Sequence, residues 1–561
     1  MPDANRESLS HAVSGPAMMA HLREFARWVK LSGSADELQS LLYIQAQLDK
    51  YGFKTTLLSH DAYISLPGPA SVTVDGVNVT AITHSHSQPS PKAGIQGRLV
   101  DIGEGTEANF ANALSADGDL RGVIVLAEGI ASPAVAIRAS RAGAIGQLHI
   151  SPHEHLHEMC ISPVWGNPSD ITLPDMPSTV ACTISFADGM ALRQRLARGE
   201  SPQITLHAEV DTSWRKTPIL VADLDPPDAP PDTPFVLFSG HHDTWYFGVM
   251  DNGAANATML ETARLMALHR TEWKRALRLC FWSGHSHGRY SGSAWYVDEH
   301  WDELDRRCVA HVNVDSTGGI GASVLEDAAA ASELTPLAGE AIREQTGHQY
   351  HGKRKSRSSD DSFPGIGIPS MFGALSEQPA GPVKMRNSLG WWWHTPHDTI
   401  DKLDEANLVR DTRVFVHVLW RLLTDPTLPL DYAVHAAALL AELETLKSTL
   451  ADRLDIEVLF QSAHRLRAAA EALATAHPDK ANPALMQASR ALVPVDYSAG
   501  DRFTHDPALP QPPWPSLQPL RALAAATAPD APFHAVTARR ARNRVAHALR
   551  LANQALEAAR T

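Results

Sequence analysis

Short apolar runs and one amphipathic helical stretch alternate through the middle of the chain. Nearly unbroken apolar runs, typical of buried strands, occur at residues 235–238, 277–282 and 309–314. Between the first two runs, residues 254–269 repeat their apolar positions with helical spacing. Apolar strands separated by a helix favour a mainly parallel sheet covered by helices on both faces. The pattern therefore predicts an α/β fold for this part of the chain.

Patterning and composition divide the chain into four segments. Residues 1–95 combine helical spacing with short alternating strands up to residue 79, and residues 96–208 form a second mixed α/β unit. Residues 209–428 hold the predicted parallel strands. Residues 429–561 are rich in Ala and Leu, and we expect this helical unit to pack against the sheet or against another subunit. Its helices are predicted at 432–450, 458–476 and 535–559.

Charge and cysteine content exclude several classes of protein. Lys and Arg total 49 and Asp and Glu total 63, so the net charge is 49 − 63 = −14, which disfavours nucleic-acid binding. No apolar run reaches the roughly 18 residues that a membrane span needs. Four scattered cysteines in 561 residues form no disulfide framework. We expect a cytoplasmic protein that binds neither nucleic acid nor membrane.

Side chains that bind metals follow the ends of all three predicted strands. His241 and Asp243 follow the first strand, His285 and His287 follow the second, and Asp315 follows the third. The carboxyl ends of parallel strands meet at one edge of a sheet, which is where ligands bind. Imidazole nitrogens and carboxylate oxygens are ligands for zinc and similar divalent metals. Asp243 is placed to orient His241 or a second group, as carboxylates beside metal ligands do.

Four motifs resemble those of a known superfamily. GHHDTW at 240–245, DNG at 251–253, NVDS at 313–316 and WHTPHDT at 393–399 resemble the metal-ligand motifs of the co-catalytic zinc aminopeptidases. That superfamily includes the glutamate carboxypeptidases and the transferrin receptors. The resemblance covers nearly the whole chain, because 96–208 looks like a protease-associated domain and 429–561 looks like a dimerisation domain.

The resemblance implies a fold and a set of ligands. The fold would be phosphorylase/hydrolase-like, with a mainly parallel sheet between helices. His241 and Asp315 would bind one metal, Asp251 would bridge to a second, and His394 would bind that second metal. The metal would be zinc or a similar divalent ion, one or two per chain, and the protein would be a homodimer through its C-terminal helices.

The sequence departs from the superfamily at one place. The superfamily has two adjacent glutamates, a general base followed by a ligand of the second metal, where this chain has Gly-His-Ser-His-Gly at 284–288. Alignment on Trp282 puts His285 at the base and Ser286 at the ligand, whereas alignment on Ser293 puts His287 at the ligand. An imidazole ligates zinc or transfers a proton, but not with the same lone pair. If His285 is a ligand, which is our preference from the sequence, His287 and Asp361 are the candidate bases.

Three functions fit these residues. The first is a metal-dependent hydrolase that uses metal-activated water on a small peptide or an N-acyl amino acid. The second is a catalytically inactive binding protein like the transferrin receptors, which loss of both glutamates favours and retention of the other ligands disfavours. The third is a single-metal enzyme like the superfamily's cyclase branch.

Two further clusters of polar residues lie outside these motifs. The basic run at 353–357, with Arg386 nearby, either holds a substrate carboxylate or forms a solvated loop. His153, His155 and His157 alternate within the insert, and we expect them on a surface loop because no acidic partner has matching spacing.

Overall fold

The computed structural model describes residues 2–383, 385 and 388–560, so Arg386 lies outside the described residues. Its helices are α1 (Pro2–His11), α2 (Gly15–Phe25), α3 (Ala35–Lys50), α4 (Glu107–Asp117), α5 (Pro133–Arg141), α6 (Phe186–Ala197), α7 (Ala255–Ala267), α8 (Ser291–Glu299), α9 (Trp301–Arg307), α10 (Thr335–Thr346), α11 (Glu405–Thr424), α12 (Tyr432–Leu450), α13 (Glu457–Ala472), α14 (Pro478–Tyr497), α15 (Gln518–Ala525) and α16 (Ala531–Ala558). Its strands are β1 (Lys54–Val74), β2 (Val77–Thr83), β3 (Ile95–Gly97), β4 (Leu99–Asp101), β5 (Ile124–Glu128), β6 (Gly146–Ile150), β7 (Val180–Ile184), β8 (Ile204–Leu224), β9 (Phe235–His241), β10 (Ala276–Trp282), β11 (Cys308–Val314), β12 (Ala329–Ala330), β13 (Lys353–Arg354) and β14 (Ser370–Gly373).

The three predicted apolar runs form adjacent parallel strands. The order across this part of the sheet is β14, β11, β9 and β10, and every pair in that series is parallel. Every residue of β9, β10 and β11 is buried, as expected for strands covered on both faces. The structure confirms the predicted α/β sheet with its carboxyl edges in register.

Two long strands, β1 and β8, join this sheet to the insert. They pair antiparallel along almost their whole length, with a register shift between Pro67 and Ala70, and β8 also pairs antiparallel with β10. Beyond β1 lie β2, β7, β6, β5 and β4. The short separate strands predicted before residue 79 are therefore wrong, because β8 pairs with this stretch continuously. The whole sheet is mixed, and β8 runs across the predicted boundary at 208/209.

Alternate residues of β9 pack into two different cores. Val236 and Phe238 lie in the core that α7 and α11 cover, whereas Phe235 and Leu237 lie in the core that contains Tyr296 of α8. Successive side chains of a strand point to opposite faces, so one apolar run supplies both layers. This double burial fixes β9 and the polar residues at its carboxyl end.

The C-terminal helices share the first core with the sheet. Leu439 of α12 and Leu492 of α14 belong to the same buried cluster as Phe238, which confirms packing of this unit against the sheet. The bounds of α12 match the prediction, but α14 was missed because Pro483 and Pro494 lie inside it and proline normally ends a helix. Among the described helices, none is long and apolar enough to cross a membrane.

A buried ion pair links α12 to the segment directly before α10. His435 Nδ1 lies 2.9 Å from Glu333 Oε2, and both side chains are fully buried. Burial lowers the pKa of His435, but Glu333 outweighs burial and raises it above the ordinary value. Because the folded pKa lies above the unfolded one, the pair stabilises the fold fully below pH of about 6.5 and loses this contribution as pH rises through the folded pKa.

We predict that His435→Ala lowers the free energy of unfolding by about 3–5 kcal/mol at pH 6, because it leaves a buried carboxylate without its partner. The decrease in the free energy of unfolding should be smaller at pH 9. Urea denaturation at both pH values measures it, with His464→Ala on the exposed face of α13 as the control. An equal loss at both pH values would contradict the assignment of a charged pair.

Candidate metal centre

Three strand ends deliver the polar groups of the site. His241 ends β9, β10 ends at Trp282 three residues before His285, and β11 ends at Val314, directly before Asp315. In the pairing of β9 with β10, His241 lies opposite Trp282. The parallel register therefore brings these groups to one edge of the sheet, as the sequence predicted.

Asp251 lies between two histidines from distant parts of the chain. One of its oxygens, Oδ1, is 3.1 Å from His241 Nε2, and the other, Oδ2, is 3.1 Å from His394 Nε2. Asp315 Oδ1 lies 3.5 Å from the same nitrogen of His241. A carboxylate that bridges two groups of ligands is the geometry of two neighbouring metal positions. The structure brings together these four predicted ligands.

The hydrogen bonds of both imidazoles fit metal binding. His241 donates from Nδ1 to the carbonyl of Asp243 at 2.8 Å, and His394 donates from Nδ1 to the carbonyl of Glu158 at 2.7 Å. Each neutral ring therefore turns the lone pair of Nε2 towards Asp251. His241 Nε2 and Asp251 Oδ1 are buried without a hydrogen-bond partner among the described residues. Without a metal, a proton on Nε2 would separate these two acceptors, and a divalent metal such as zinc can take the place of that proton.

Carboxylates dominate the electrostatics of this cluster. Burial lowers the pKa of His241, but Asp251 and Asp315 outweigh burial and raise it well above its usual range. Burial raises the pKa of Asp251, but His241 and His394 outweigh burial and hold it well below its usual range. The carboxylates therefore stay ionised, and they create a negative potential that attracts a cation.

A second carboxylate, Asp398, holds the turn that carries Asp251. Its oxygens accept the N–H groups of Met250 at 2.9 Å and of Asp251 at 3.0 Å. Burial raises the pKa of Asp398 to about 7. Asn252 donates from its side chain to the carbonyls of His241 and Val314, each at 3.2 Å. The position of Asp251, the bridging residue, is thus fixed by the side chains of Asp398 and Asn252.

His285 lies beside His241 and Asp315, the first group of ligands, rather than beside His394. Its ring stacks on that of His241, with centroids 3.6 Å apart and planes 12° apart. One ligand atom from each of His241, His285 and Asp315 lies within 4.8 Å of the others. Asp360 Oδ2 is 2.7 Å from His285 Nδ1, and Ser293 donates to the other oxygen of Asp360 at 2.9 Å. The sequence prediction named Asp361 and missed Asp360, which fixes the ring and leaves Nε2 free.

The carboxylate of Asp243 orients the loop at 285–286 rather than the ring of His241. Its carboxylate accepts the N–H of His285 at 3.2 Å, the N–H of Ser286 at 2.8 Å and the hydroxyl of Ser32 at 2.7 Å. Only the main-chain carbonyl of Asp243 contacts His241. The prediction that this carboxylate orients His241 is therefore wrong, and the alternative, that it orients a second group, agrees with the geometry.

The structure does not bring His287 or Asp361 to the cluster. His287 is fully buried, its Nδ1 lies 2.9 Å from the Ser32 hydroxyl, and Trp245 packs against its ring. Asp361 is fully buried 3.6 Å from His311. Neither residue lines the cavity beside the metal ligands. A role for either one as the proton acceptor is not supported by these positions.

A cavity of about 450 Å³ opens onto this cluster. Asp251, His285, Asp315 and His394 line it, together with Ser286. In the alignment on Trp282, Ser286 takes the place of the second glutamate of the superfamily, and its buried hydroxyl has no partner among the described residues. A neutral hydroxyl does not supply the charge of a carboxylate. The second metal position therefore has fewer charged ligands than the first.

Comparisons with known proteins agree with this geometry. Residues 220–419 match the family model described as Peptidase family M28. Probable glutamate carboxypeptidase AMP1 of Arabidopsis thaliana is 22% identical over 538 residues, covering 80% of this chain and 73% of that protein. Probable glutamate carboxypeptidase LAMP1 of the same plant is 26% identical over 291 residues, covering 47% of this chain and 42% of that protein.

Two solved structures share the fold. A Peptidase M28 precursor from Shewanella amazonensis has a TM-score of 0.59 at 18% identity, covering 75% of this chain and 97% of that chain. An aminopeptidase from Aneurinibacillus sp. strain AM-1 has a TM-score of 0.56 at 21% identity, covering 74% of this chain and 96% of that chain.

The fold and the ligand cluster define a metallopeptidase-like class of protein, one that uses a divalent metal such as zinc. Residues 220–419 carry a peptidase M28 domain, and the chain is similar to glutamate carboxypeptidases in sequence and to zinc aminopeptidases in fold. It is accordingly a peptidase-type hydrolase.

We predict that His241→Ala lowers zinc affinity by more than roughly 100-fold, since loss of a direct ligand exceeds the loss of an outer partner. His242→Ala is the matched control, because His242 is equally buried but bonds Asn256 at 2.6 Å instead of facing Asp251. Zinc content after dialysis against a chelator measures both variants. Equal zinc loss in both would contradict the assignment of His241.

Proposed function

We propose that the protein hydrolyses amide or peptide bonds in the cavity beside Asp251, with His285 as the proton acceptor. The observation that carries this proposal is the His285–Asp360 pair: Asp360 occupies Nδ1, and a ring nitrogen of His285 lies within 4.8 Å of ligand atoms of His241 and Asp315. A divalent metal held by His241, Asp251 and Asp315 would polarise the scissile carbonyl and lower the pKa of water. His394 and Asp251 would hold a second ion, with His394 as its only terminal histidine.

His285 supplies the chemistry that the missing glutamate would supply. Its Nε2 takes a proton from the attacking water, and the ring becomes an imidazolium that Asp360 stabilises through Nδ1. The proton then passes to the nitrogen of the leaving amine. Asp360 also fixes the tautomer, because a proton on Nδ1 is needed for the 2.7 Å contact and leaves Nε2 as the acceptor.

Coordination number favours this role over that of a ligand. His241, Asp251 and Asp315 already supply three protein ligands, as catalytic zinc sites have, and a fourth would close the site as in structural zinc sites. A base at His285 keeps one position open for water or substrate. We therefore propose His285 as the base, in place of the ligand role that we preferred from the sequence.

We predict that His285→Ala retains zinc while kcat falls by roughly 10²- to 10⁴-fold, the contribution of a positioned base. Asp360→Asn should retain zinc and lower kcat by less. Zinc content and steady-state kinetics on a panel of dipeptides and N-acyl amino acids give both readouts. His287→Ala is the comparison, and its loss in kcat should be at least tenfold smaller.

Two outcomes would overturn the proposal. Zinc lost in proportion to activity in His285→Ala would make His285 a ligand. No hydrolysis of any substrate by the zinc-loaded wild-type protein would favour the binding-protein alternative.

A second cavity, of about 580 Å³, shares walls with the first and supports a choice of substrate. Arg289 and Arg357 line it, and neither guanidinium has an ion-pair partner among the described residues. Arg357 lies 3.9 Å from the ring of Trp165 and donates to the carbonyl of Asp506 at 2.7 Å. Two partly buried cations beside aromatic walls suit a carboxylate on an apolar substrate. Arg354, in the same basic run, pairs with Asp496 instead, so we propose Arg357 rather than Arg354 for this role.

We propose as substrate a small peptide or N-acyl amino acid with a free carboxylate. Arg357→Met should lower kcat/KM for the free acid by roughly 10- to 100-fold, the range of a charge-assisted hydrogen bond. The same substrate with a carboxamide end is the control and should change little. An equal loss of kcat/KM for the acid and for the amide would show that Arg357 has only a structural role.

Assembly and location complete the proposal. Phe533, Val536 and Leu551 are exposed apolar residues on α16, which supports a homodimer through the C-terminal helices. The insert, with parallel strands β4 to β7, is proposed to be a protease-associated-like domain. All four cysteines are free and buried, which supports a cytoplasmic protein.

A further inference from the structure

A loop of the insert, residues 151–159, is bound to the segment that carries His394. Glu158 and His394 exchange two hydrogen bonds: the N–H of Glu158 donates to the carbonyl of His394 at 3.1 Å, and His394 Nδ1 donates to the carbonyl of Glu158 at 2.7 Å. His394 has a φ of 57°, in the left-handed region that non-glycine residues rarely adopt. Such a conformation costs free energy and persists only where the surroundings hold it.

The side chain of His157 adds a third contact, one residue before His394. His157 Nδ1 lies 2.5 Å from the carbonyl of Trp393, and the ring of Trp393 stacks on that of His394 at 3.5 Å between centroids. His157 is buried to 1% exposure, so the sequence prediction of a surface position is wrong for this residue, although its loop assignment is correct. The backbone and the ring of the His394 segment are therefore both held from the insert.

His153 fixes the orientation of His157. The two Nε2 atoms are 3.1 Å apart, and the N–H of His155 donates to His153 Nδ1 at 3.0 Å. A carbonyl only accepts, so His157 carries its proton on Nδ1 and accepts at Nε2 from His153. His153 then accepts at Nδ1, where the N–H of His155 donates. Every donor in this chain of bonds meets an acceptor with both rings neutral.

Burial agrees with neutral rings. Burial lowers the pKa of His157 to about 3 and also lowers the pKa of His153. The two rings behave as a fixed pair of hydrogen-bonding groups at neutral pH. Sequence spacing does not reveal this, because His157 and Trp393 are 236 residues apart.

We propose that His157, oriented by His153, is a positioning residue for His394, so that the insert sets the geometry of the second metal position. The inference rests on the proposed role of His394 as a ligand. It assigns the insert a function within the metal site. His157 itself touches neither the reacting atoms nor the metal.

The test compares three variants of the full chain. His157→Leu removes the donor to Trp393 and should weaken the binding of the second zinc by roughly 10- to 100-fold, the cost of losing a partner behind a ligand. His157→Asn keeps an N–H donor near the position of Nδ1 and should restore most of that affinity. His149→Ala is the control, since His149 is an equally buried histidine of the insert that bonds Gln147 at 2.9 Å.

Competition with a zinc chelator gives the affinity of each site, and His394→Ala provides the reference for loss of the second site. Loss of only the weaker site in His157→Leu, with rescue in His157→Asn, supports the proposal. An unchanged weaker site in His157→Leu, when His394→Ala abolishes it, would overturn the proposal. If His394→Ala also leaves zinc binding unchanged, the role of His394 in the proposed function is wrong instead. Equal losses of zinc affinity in His157→Leu and His149→Ala would show that His157 has only a structural role, and this result would also overturn the proposal.

Discussion

The site depends on one buried carboxylate, that of Asp251, held between His241 and His394. A buried ion loses several kcal/mol of solvation, so it persists only where other groups compensate. Here both carboxylate oxygens of Asp251 face imidazole nitrogens, and Asp398 accepts a hydrogen bond from the backbone N–H of Asp251. The loops that meet at this carboxylate come from β9, from the turn after it and from the segment after β14. Their convergence shapes the cavity as well as the metal position.

The change from two glutamates to His-Ser-His alters the two metal positions unequally. The first position keeps all of its expected ligands and gains His285 as a neighbour. The second position has Ser286 in place of a carboxylate and depends on His394, which the insert holds in place. In the function that we propose, proton transfer passes from a carboxylate to the imidazole of His285, whose Nδ1 contacts Asp360. An imidazole able to accept a proton matches the loss of the first glutamate, whereas a neutral hydroxyl does not replace the charge of the second.

The sequence was sufficient where chemistry follows regular structure. The apolar runs of β9, β10 and β11 predicted a parallel sheet, and the rule that ligands gather at strand ends then placed His241, His285 and Asp315 together. It was insufficient where contacts join distant segments. Asp360 reaches His285 across 75 residues, and nothing in the pair of adjacent aspartates says which one turns inwards. Helix α14 was missed for a different reason, since tertiary packing overrides the effect of its two internal prolines.

The position of zinc relative to His285 distinguishes a base from a ligand at this residue. A crystal structure of the zinc-loaded protein, with anomalous scattering to locate the metal, measures the distances to each nitrogen. The account predicts zinc about 2.0–2.1 Å from His241 Nε2, the usual Zn–N distance, in contact with Asp251 and Asp315, and with His285 Nε2 beyond bonding distance. Zinc bonded to His285 Nε2 at that distance, or no zinc at this cluster, would contradict it.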